Sequence, residues 1–454
     1  MVTLTASYTV IPQEPTPNNH LILSEIDQIQ PLEHATSIYV HKPNPNINSI
    51  TTTIRAFRDS LSKILVYYYP LAGRLREITK GGLFELDCNA KGVTLIEAES
   101  GKKMVEYGDF APTESIKELI PKLDYGNTPI EEWPLLLVQL TRFSCGGLCL
   151  GIAISHVLVD GWAAIQFINS WAKLAQGADH LDKHEIPLHD RTVFFRTSNP
   201  DQPRYRHREF QTPPLLLASS DTQLEDNKKK TSVALLEVLK DQVENLKKKA
   251  NEVLEPTLAG NDRPYTRYEA IAAHIWRCVC KAREGDNNPC QPTVVRIMTD
   301  IRKRLKPSIP LNYSGNAIHV TLTPVCHYSD ILLNPLSYAA RVIREGTDMM
   351  TDEYIKSALD FTARKQHGDE SRPENVEANF YGDPNISIGS WMSLPVYEAD
   401  FGWGKPVYMG IGAMSGDGWS VIMSSPSGDG SVIVALCLQT PHLEAFKKIF
   451  YKDM

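Results

Sequence analysis

A histidine and an aspartate lie four residues apart in residues 155–162, which read SHVLVDGW. Histidine is the side chain best suited to move protons near neutral pH, because its unperturbed pKa lies there. The spacing alone is weak evidence, since a chain with 13 histidines contains such pairs by chance and a buried histidine bonded to the backbone fits it as well. The sequence contains no Gly-x-Ser-x-Gly nucleophile elbow, so nothing supports a serine-hydrolase triad.

The residues on either side predict which elements position this pair. The apolar stretch LCLGIAIS before His156 is too short for a helix of its own and indicates a buried strand. The stretch WAAIQFINSWAKLAQG places four apolar residues on one helical face and ends at Gly177. Asp160 therefore falls at the N-terminal edge of a helix, where a carboxylate is favoured. His156 falls at a strand end, where we expect its side chain to face a crevice.

Composition excludes several classes of protein. The 454 residues suffice for two or three domains, and 47 Lys+Arg against 54 Asp+Glu give a net charge of −7, which argues against nucleic acid or an anionic membrane as partner. No apolar run approaches the roughly 20 residues of a membrane helix, and the start shows no secretory signal. The eight scattered cysteines match no zinc-site spacing, so we expect reduced thiols, no metal and a cytoplasmic protein.

The order of the predicted elements indicates an α/β protein of two domains. In the first half, SIYVHK is typical of a strand, TTTIRAFRDSLSKILVYY of an amphipathic helix, and PLLLVQLTRF with LCLGIAIS of a hairpin. Periodicity fades after that, which predicts a domain over 1–185, a crossover loop over 186–230 and a second domain over 231–454. A three-four spacing predicts one helix carrying Leu236, Leu239, Val243, Leu246, Ala250 and Val253.

A second motif, DFGWGKP at residues 400–406, gives the pair its context. Together with the His-x-x-x-Asp-Gly stretch, this motif closely resembles the plant BAHD acyltransferase family. Four longer stretches occur in the order found in that family: YYPLAGRL, TRYEAIAAHIWR, DIRKRLKPSIPLNYSGN and SWMSLPVYEADFGWGKPVYMG. The resemblance implies two chloramphenicol-acetyltransferase-like domains with mixed β-sheets and an active-site channel between them. It also implies acyl-CoA as co-substrate, with no permanently bound cofactor, and we expect a monomer.

The resemblance implies roles for the residues of both motifs. His156 takes the place of the family's general base, which deprotonates the acceptor as it attacks the thioester. Asp160 would turn away from the channel and form a salt bridge that fixes the loop carrying His156. Asp400 is grouped with the catalytic residues, although family precedent pairs this position with Arg302 as a brace. Trp391 matches a tryptophan whose indole N–H points at the tetrahedral oxyanion, and core packing is the alternative interpretation.

Five further residues are predicted to line the site. His34 and Tyr39, in EHATSIYV, match channel-lining positions of hydroxycinnamoyl-transferring members, although ordinary strand residues would fit the same pattern. Thr266 is expected to contact the CoA. Gly389 and Ser393 replace the threonine and arginine of the Thr-Ser-Trp-Ala-Arg-Leu-Pro window that is typical of shikimate- and quinate-using members.

Ser393 carries the prediction of the acceptor. A serine cannot make the bidentate, charged grip that an arginine gives a carboxylate. The chain most resembles spermidine hydroxycinnamoyl transferases, so transfer from hydroxycinnamoyl-CoA to a polyamine nitrogen is predicted. A BAHD O-acyltransferase acting on shikimate, quinate or an alcohol is the nearest alternative. A peptide-synthesis condensation domain and a non-catalytic ligand-binding scaffold are more distant ones.

Overall fold

The computed structural model describes residues 2–45, 50–79, 82–195, 204–217, 229–253, 263–285, 288–367 and 382–454. The strands of the two large sheets and the smaller ones are β1 Val2–Val10, β2 His20–Ile22, β3 His34–His41, β4 Arg74–Thr79, β5 Leu83–Asp87, β6 Val93–Ser100, β7 Leu136–Phe143, β8 Leu148–Ser155, β9 Thr231–Val238, β10 Pro292–Thr293, β11 Val295–Asp300, β12 Ile318–Leu322, β13 Cys326–His327, β14 Ile386–Ser390, β15 Tyr408–Ile411, β16 Trp419–Ser424 and β17 Val432–Gln439. The α-helices are α1 Glu25–Gln28, α2 Ile50–Tyr67, α3 Glu114–Lys117, α4 Gly161–Ala175, α5 Lys240–Ala250, α6 Arg267–Ala282, α7 Tyr328–Leu333, α8 Leu336–Asp348, α9 Asp352–His367 and α10 Thr440–Phe450.

The first large sheet has the strand order β1-β6-β7-β8-β3-β15 and mixes parallel with antiparallel pairs. The predicted hairpin is present as β7 and β8, which pair antiparallel. Every residue of β8 is buried, as expected for a strand covered on both faces. Helices α2 and α4 pack against each other and share one apolar core with this sheet.

The second large sheet has the order β12-β11-β14-β16-β17-β9 and is also mixed. Helix α6 lies on it with most of its side chains buried, because Ile271, Ile275 and Trp276 are fully enclosed between the sheet and α8 and α10. The predicted fold class, α/β with two mixed sheets, is confirmed. No helix in the described ranges is both long enough and apolar enough to span a bilayer.

Two predictions about the second half were wrong. Strand β15 leaves the predicted C-terminal domain and pairs antiparallel with β3 in the first sheet, so residues 231–454 do not form one separate unit. Leu236 lies in strand β9, and helix α5 begins only at Lys240. The alternation Ala234, Leu236, Val238 fits a half-buried strand as well as a helical face, so the three-four spacing ran across a strand–helix boundary.

The crossover segment is attached to the protein at several described points. Its Arg191 side chain is buried against Asp27, and its Leu217 N–H donates to Gln291 on the second domain. Strand β9 begins at Thr231 and joins the second sheet. All eight cysteines lie in described ranges and are unpaired, and Cys290 is exposed.

Candidate active site

His156 directly follows the last residue of β8 and is half-buried. Its Nδ1 is buried without a hydrogen-bond partner, whereas its Nε2 is not buried and bonds to no described residue. An imidazole with one accessible nitrogen that no protein group occupies can accept a proton from a bound molecule. The local pattern predicted correctly that His156 lies at the end of a strand, because the apolar residues that form the buried strand stop directly before it.

Asp160 is the N-cap of α4 and is almost fully buried. Its Oδ1 accepts from the Ala163 N–H at 3.0 Å, and its Oδ2 accepts from the Ala317 N–H at 2.8 Å. The Arg302 guanidinium contacts both carboxylate oxygens, at 2.9 Å and 2.8 Å. Asp160 therefore joins the start of α4 to the second half of the chain, and both of its carboxylate oxygens are used inside the protein.

The expected pairing of Asp400 with Arg302 was wrong. Arg302 binds Asp160, and the Asp400 Oδ1 accepts the N–H groups of Gly402 at 2.8 Å and Gly404 at 2.9 Å. Both glycines have positive φ, 87° and 91°, so the DFGWG segment is a tight turn closed by this carboxylate. Phe401 of the same turn is buried in the first core. With its Oδ1 used inside the turn, Asp400 shapes a structural element, and the geometry gives no support to grouping it with catalytic residues.

Trp391 follows β14, yet its indole lies beside the first domain. A Cβ at Gly161 would lie 3.9 Å from the indole Nε1, which places that N–H next to the start of α4. No acceptor among the described residues bonds to this nitrogen, although the ring packs against both the first core and a smaller apolar cluster that contains Ile411 and Val421. The structure thus brings Trp391 to the region of His156, although it lies more than 200 residues later in the sequence. Its position fits both a packing role for the ring and a donor role for the indole N–H.

His34 and Tyr39 both lie on β3, which pairs with β8. His34 pairs with Ser155, directly before His156. Its Nε2 lies 2.7 Å from the Pro134 carbonyl and its Nδ1 lies 2.9 Å from the Tyr125 hydroxyl, so both ring nitrogens are occupied and Nε2 must carry the proton. Burial lowers the pKa of His34 to about 4. His34 can form a wall of the site, but it has no free nitrogen to offer a substrate.

Tyr39 is fully buried, and its hydroxyl has no hydrogen-bond partner. Burial, followed by the neighbouring Tyr397, raises the pKa of this phenol, so it stays protonated. An unpartnered buried hydroxyl costs about 1–3 kcal/mol.

The three remaining predicted residues differ in their surroundings. Gly389 is buried in β14, and a Cβ there would meet nothing closer than 3.7 Å, so the position has room for one added carbon. Ser393 is exposed just beyond Trp391. Thr266 is the N-cap of α6, where its hydroxyl accepts from the Glu269 N–H and donates to the Glu269 carboxylate. Because this capping box uses the hydroxyl twice, the predicted CoA contact of Thr266 has no support in the structure.

Other clusters of reactive side chains in the described ranges are occupied or enclosed. Asp182, His184 and Glu185 are close enough for a metal, but Lys173 binds both carboxylates at 2.7 Å. A Ser357–His207–Glu209 chain has hydrogen bonds of 3.0 Å on both sides of the imidazole. All three of its residues are at most 3% exposed, and the serine oxygen already accepts two backbone N–H groups, so no substrate can reach it. Within the described residues, a pocket of about 370 Å³ lined by 11–18 and 88–90 lies away from His156.

Comparison with solved structures identifies the fold. Vinorine synthase superposes with a TM-score of 0.72 at 20% identity over 98% of this chain and 96% of that one. F. sporotrichioides TRI101, solved with coenzyme A and T-2, gives a TM-score of 0.78 at 18% identity over 96% and 98%. Identities this low establish the shared fold alone. The two mixed sheets of this chain therefore have the fold of these two proteins.

Sequence comparison then identifies the family. The Transferase family matches residues 1–453. Hydroxycinnamoyl-CoA:piscidic acid hydroxycinnamoyltransferase of Actaea racemosa is 44% identical over 100% of both chains, and shikimate O-hydroxycinnamoyltransferase of Nicotiana tabacum is 38% identical over 98% of both. Anthranilate N-benzoyltransferase protein 1 of Dianthus caryophyllus is 36% identical over 98% of both. The chain belongs to the BAHD acyltransferase family and is an acyl-CoA-dependent acyltransferase that carries no permanent cofactor.

Proposed function

We propose that this enzyme transfers a hydroxycinnamoyl group from CoA to a small acceptor, with His156 as general base. The accessible, unpartnered Nε2 of His156 carries the proposal, since this nitrogen can take a proton from an attacking hydroxyl or amine. Several relatives that align over nearly the full length of the chain are named for hydroxycinnamoyl transfer, which supports the choice of acyl group.

The reaction proceeds by direct attack. The acceptor oxygen or nitrogen adds to the thioester carbonyl as His156 removes its proton, and the carbonyl oxygen becomes an oxyanion. The indole N–H of Trp391, which no described residue accepts, is available to donate to that oxyanion. The carbonyl re-forms as the C–S bond breaks, and the imidazolium returns its proton to the departing CoA thiolate. Holding both substrates together removes the need for a covalent acyl-enzyme.

Two classes of acceptor have separate support. The relatives named above are described for piscidic acid, shikimate and anthranilate, which favours a small carboxylic acid acceptor. Spermidine, the acceptor predicted from sequence, is favoured by Ser393, which leaves an exposed position without the guanidinium that would bind a carboxylate. We propose the acidic acceptor first, because it is supported by relatives that align over the whole chain. We propose the polyamine second, because a single residue supports it.

The test is a matrix of hydroxycinnamoyl-CoA donors against piscidic acid, shikimate, anthranilate and spermidine, with products identified by mass spectrometry. His156→Ala is expected to reduce kcat at least about 100-fold at an unchanged melting temperature, since a general base contributes roughly 10²–10⁴-fold. His180→Ala, at an exposed histidine, is the matched control. A His156→Ala enzyme that kept more than a few per cent of its activity would exclude His156 as the base.

Ser393→Arg distinguishes the two acceptors. A guanidinium at this position should raise turnover of a carboxylate acceptor and lower that of spermidine, because two like charges some 5 Å apart repel by roughly 3 kcal/mol at an effective dielectric of about 20. Ser427→Arg, on the exposed turn between β16 and β17, adds the same charge elsewhere. Equal effects of the two substitutions would show that Ser393 does not contact the acceptor.

We also propose that the enzyme acts as a cytoplasmic monomer. Eight unpaired cysteines suit a reducing compartment, and one chain supplies every side chain of the proposed site. Sedimentation and fractionation of the tagged protein test both statements.

A further inference from the structure

The five-residue loop from His156 to Asp160 is held by its backbone as well as by Asp160. The side-chain amide of Asn316 donates to the carbonyl oxygens of His156 at 2.9 Å and Val157 at 3.1 Å. The Arg191 guanidinium donates to the carbonyl of Leu158 at 3.0 Å. Three successive carbonyl groups, beginning with that of His156 itself, therefore depend on two side chains from distant parts of the chain.

One buried carboxylate orients both donors. The Asp27 Oδ1 accepts from the Asn316 side chain at 2.8 Å and from its backbone N–H at 3.1 Å. The Asp27 Oδ2 accepts from Arg191 Nε at 3.0 Å and from the hydroxyl of Ser24 at 2.8 Å. Asp27 and Asn316 are 0% exposed and Arg191 is 3% exposed, so water cannot replace any of these bonds.

This geometry limits how far the base can move. The Nδ2 of Asn316 donates both to Asp27 and to the loop carbonyls. The amide of Asn316 is planar and the guanidinium of Arg191 is a rigid fork, so binding to Asp27 fixes the direction in which each side chain donates to the loop. The peptide groups that follow His156 are then held in one orientation. A displacement of about 1 Å at a reacting group can cost on the order of 10²-fold in rate.

We propose that Asp27 and Asn316 are positioning residues for His156, acting through the carbonyl groups of the loop and not through contact with substrate. Neither residue belongs to the His-x-x-x-Asp or DFGWG motif, although Asn316 ends the NYSGN stretch. The inference rests on the proposed role of His156 as base. It requires that loss of either residue lowers kcat more than it changes the KM of either substrate.

The experiment measures kcat, both KM values and the melting temperature for Asn316→Ala and Asp27→Asn. Asn316→Ala removes the donor to two loop carbonyls, and we expect kcat to fall 10- to 100-fold while each KM stays within about threefold. Asp27→Asn replaces one acceptor oxygen by an NH2 group, which must then face a donor of either Asn316 or Arg191, and we expect kcat to fall about tenfold. If Asn316→Ala does not fold, Asp27→Asn, which keeps the shape of the side chain, provides the test.

The matched control is Asp417→Asn. Asp417 also joins a buried arginine, Arg283, to backbone N–H groups, those of Asp383 and Gln439, but it contacts no part of the loop. Asp417→Asn should lower the melting temperature about as much as Asp27→Asn does and leave kcat unchanged. A folded Asn316→Ala enzyme with kcat within twofold of the native value overturns the inference, as does an equal loss of kcat in Asp417→Asn.

Failure of this inference can be told apart from failure of the proposed function. If His156→Ala abolishes turnover and Asn316→Ala leaves kcat unchanged, His156 remains the base and only the positioning role is wrong. If His156→Ala retains full activity, both are wrong.

Discussion

At the residue scale, the site contains polar atoms that the folded protein leaves unused. The Nε2 of His156, the indole N–H of Trp391 and the hydroxyl of Tyr39 have no partner among the described residues. By contrast, His34 and Thr266 are fully engaged within the protein. His156 and Trp391 are half-buried, so a ligand can reach them, whereas the Tyr39 side chain is fully enclosed.

Trp391→Phe tests donation against packing. The substitution keeps an aromatic ring at the domain boundary and removes only the N–H, so we expect kcat to fall about 100-fold with little change in KM. Trp276→Phe, which removes a buried indole N–H from the second core, should cost stability without lowering kcat. Activity of Trp391→Phe close to that of the native enzyme would leave core packing as the role of this residue.

Tyr39→Phe tests whether the buried hydroxyl contributes to stability. Because the hydroxyl is buried without a partner, its removal should leave the melting temperature unchanged or raise it, in contrast to most core substitutions. A clear fall in the melting temperature of Tyr39→Phe would show that the hydroxyl has a partner in the folded protein.

At the scale of elements, β8 carries His156 and is packed too closely to tolerate any added atom. A Cβ at Gly151 would lie 2.0 Å from the Leu119 carbonyl oxygen, because the chain after α3 crosses directly over the strand. The glycine is thus required by close approach of two backbone segments and not by its own φ.

Gly151→Ala should therefore destabilise the protein by more than about 3 kcal/mol or prevent folding, since neither backbone segment can yield without breaking other contacts. Gly389→Ala, in β14, is the matched control with nearest contacts at 3.7 Å and should change stability by less than about 1 kcal/mol. Chemical denaturation of the two variants measures the difference. Similar stabilities would contradict the close approach of Leu119 to β8.

At the scale of the whole molecule, burial of histidines couples stability to pH. Burial is the largest cause that lowers the pKa of His34, His41, His189 and His274, each to about 4. In the unfolded chain these groups titrate near about 6.5, so between the two values the unfolded state binds more protons. The stability that each contributes is present above pH 6.5 and is lost as pH falls toward 4, by roughly 3 kcal/mol per histidine.

Thermal unfolding between pH 7.5 and pH 5 should show this loss as a melting temperature that falls steadily below about pH 6.5. His274→Gln, whose amide can still donate to the Phe450 carbonyl, should make the fall less steep. A melting temperature constant down to pH 5 would show that these histidines are not held neutral by the fold.

The sequence by itself determined the elements of secondary structure whose pattern lies within one short segment. The hairpin of β7 and β8, the helix α4 and the N-cap position of Asp160 follow from alternating or helical patterns that one short segment contains in full. The same local reasoning failed at Leu236, where one set of apolar residues fits a strand followed by a helix as well as a single helix.

Only the tertiary structure decided which distant residues meet. Arg302 binds Asp160, 142 residues earlier, and not Asp400, whose carboxylate closes its own turn. Strand β15 joins the first sheet, and Asp27 reaches Asn316 across 289 residues. No periodicity encodes such pairs, because each depends on how two separately formed sheets and their connections pack, and a buried charge accepts whichever partner that packing brings within hydrogen-bonding distance.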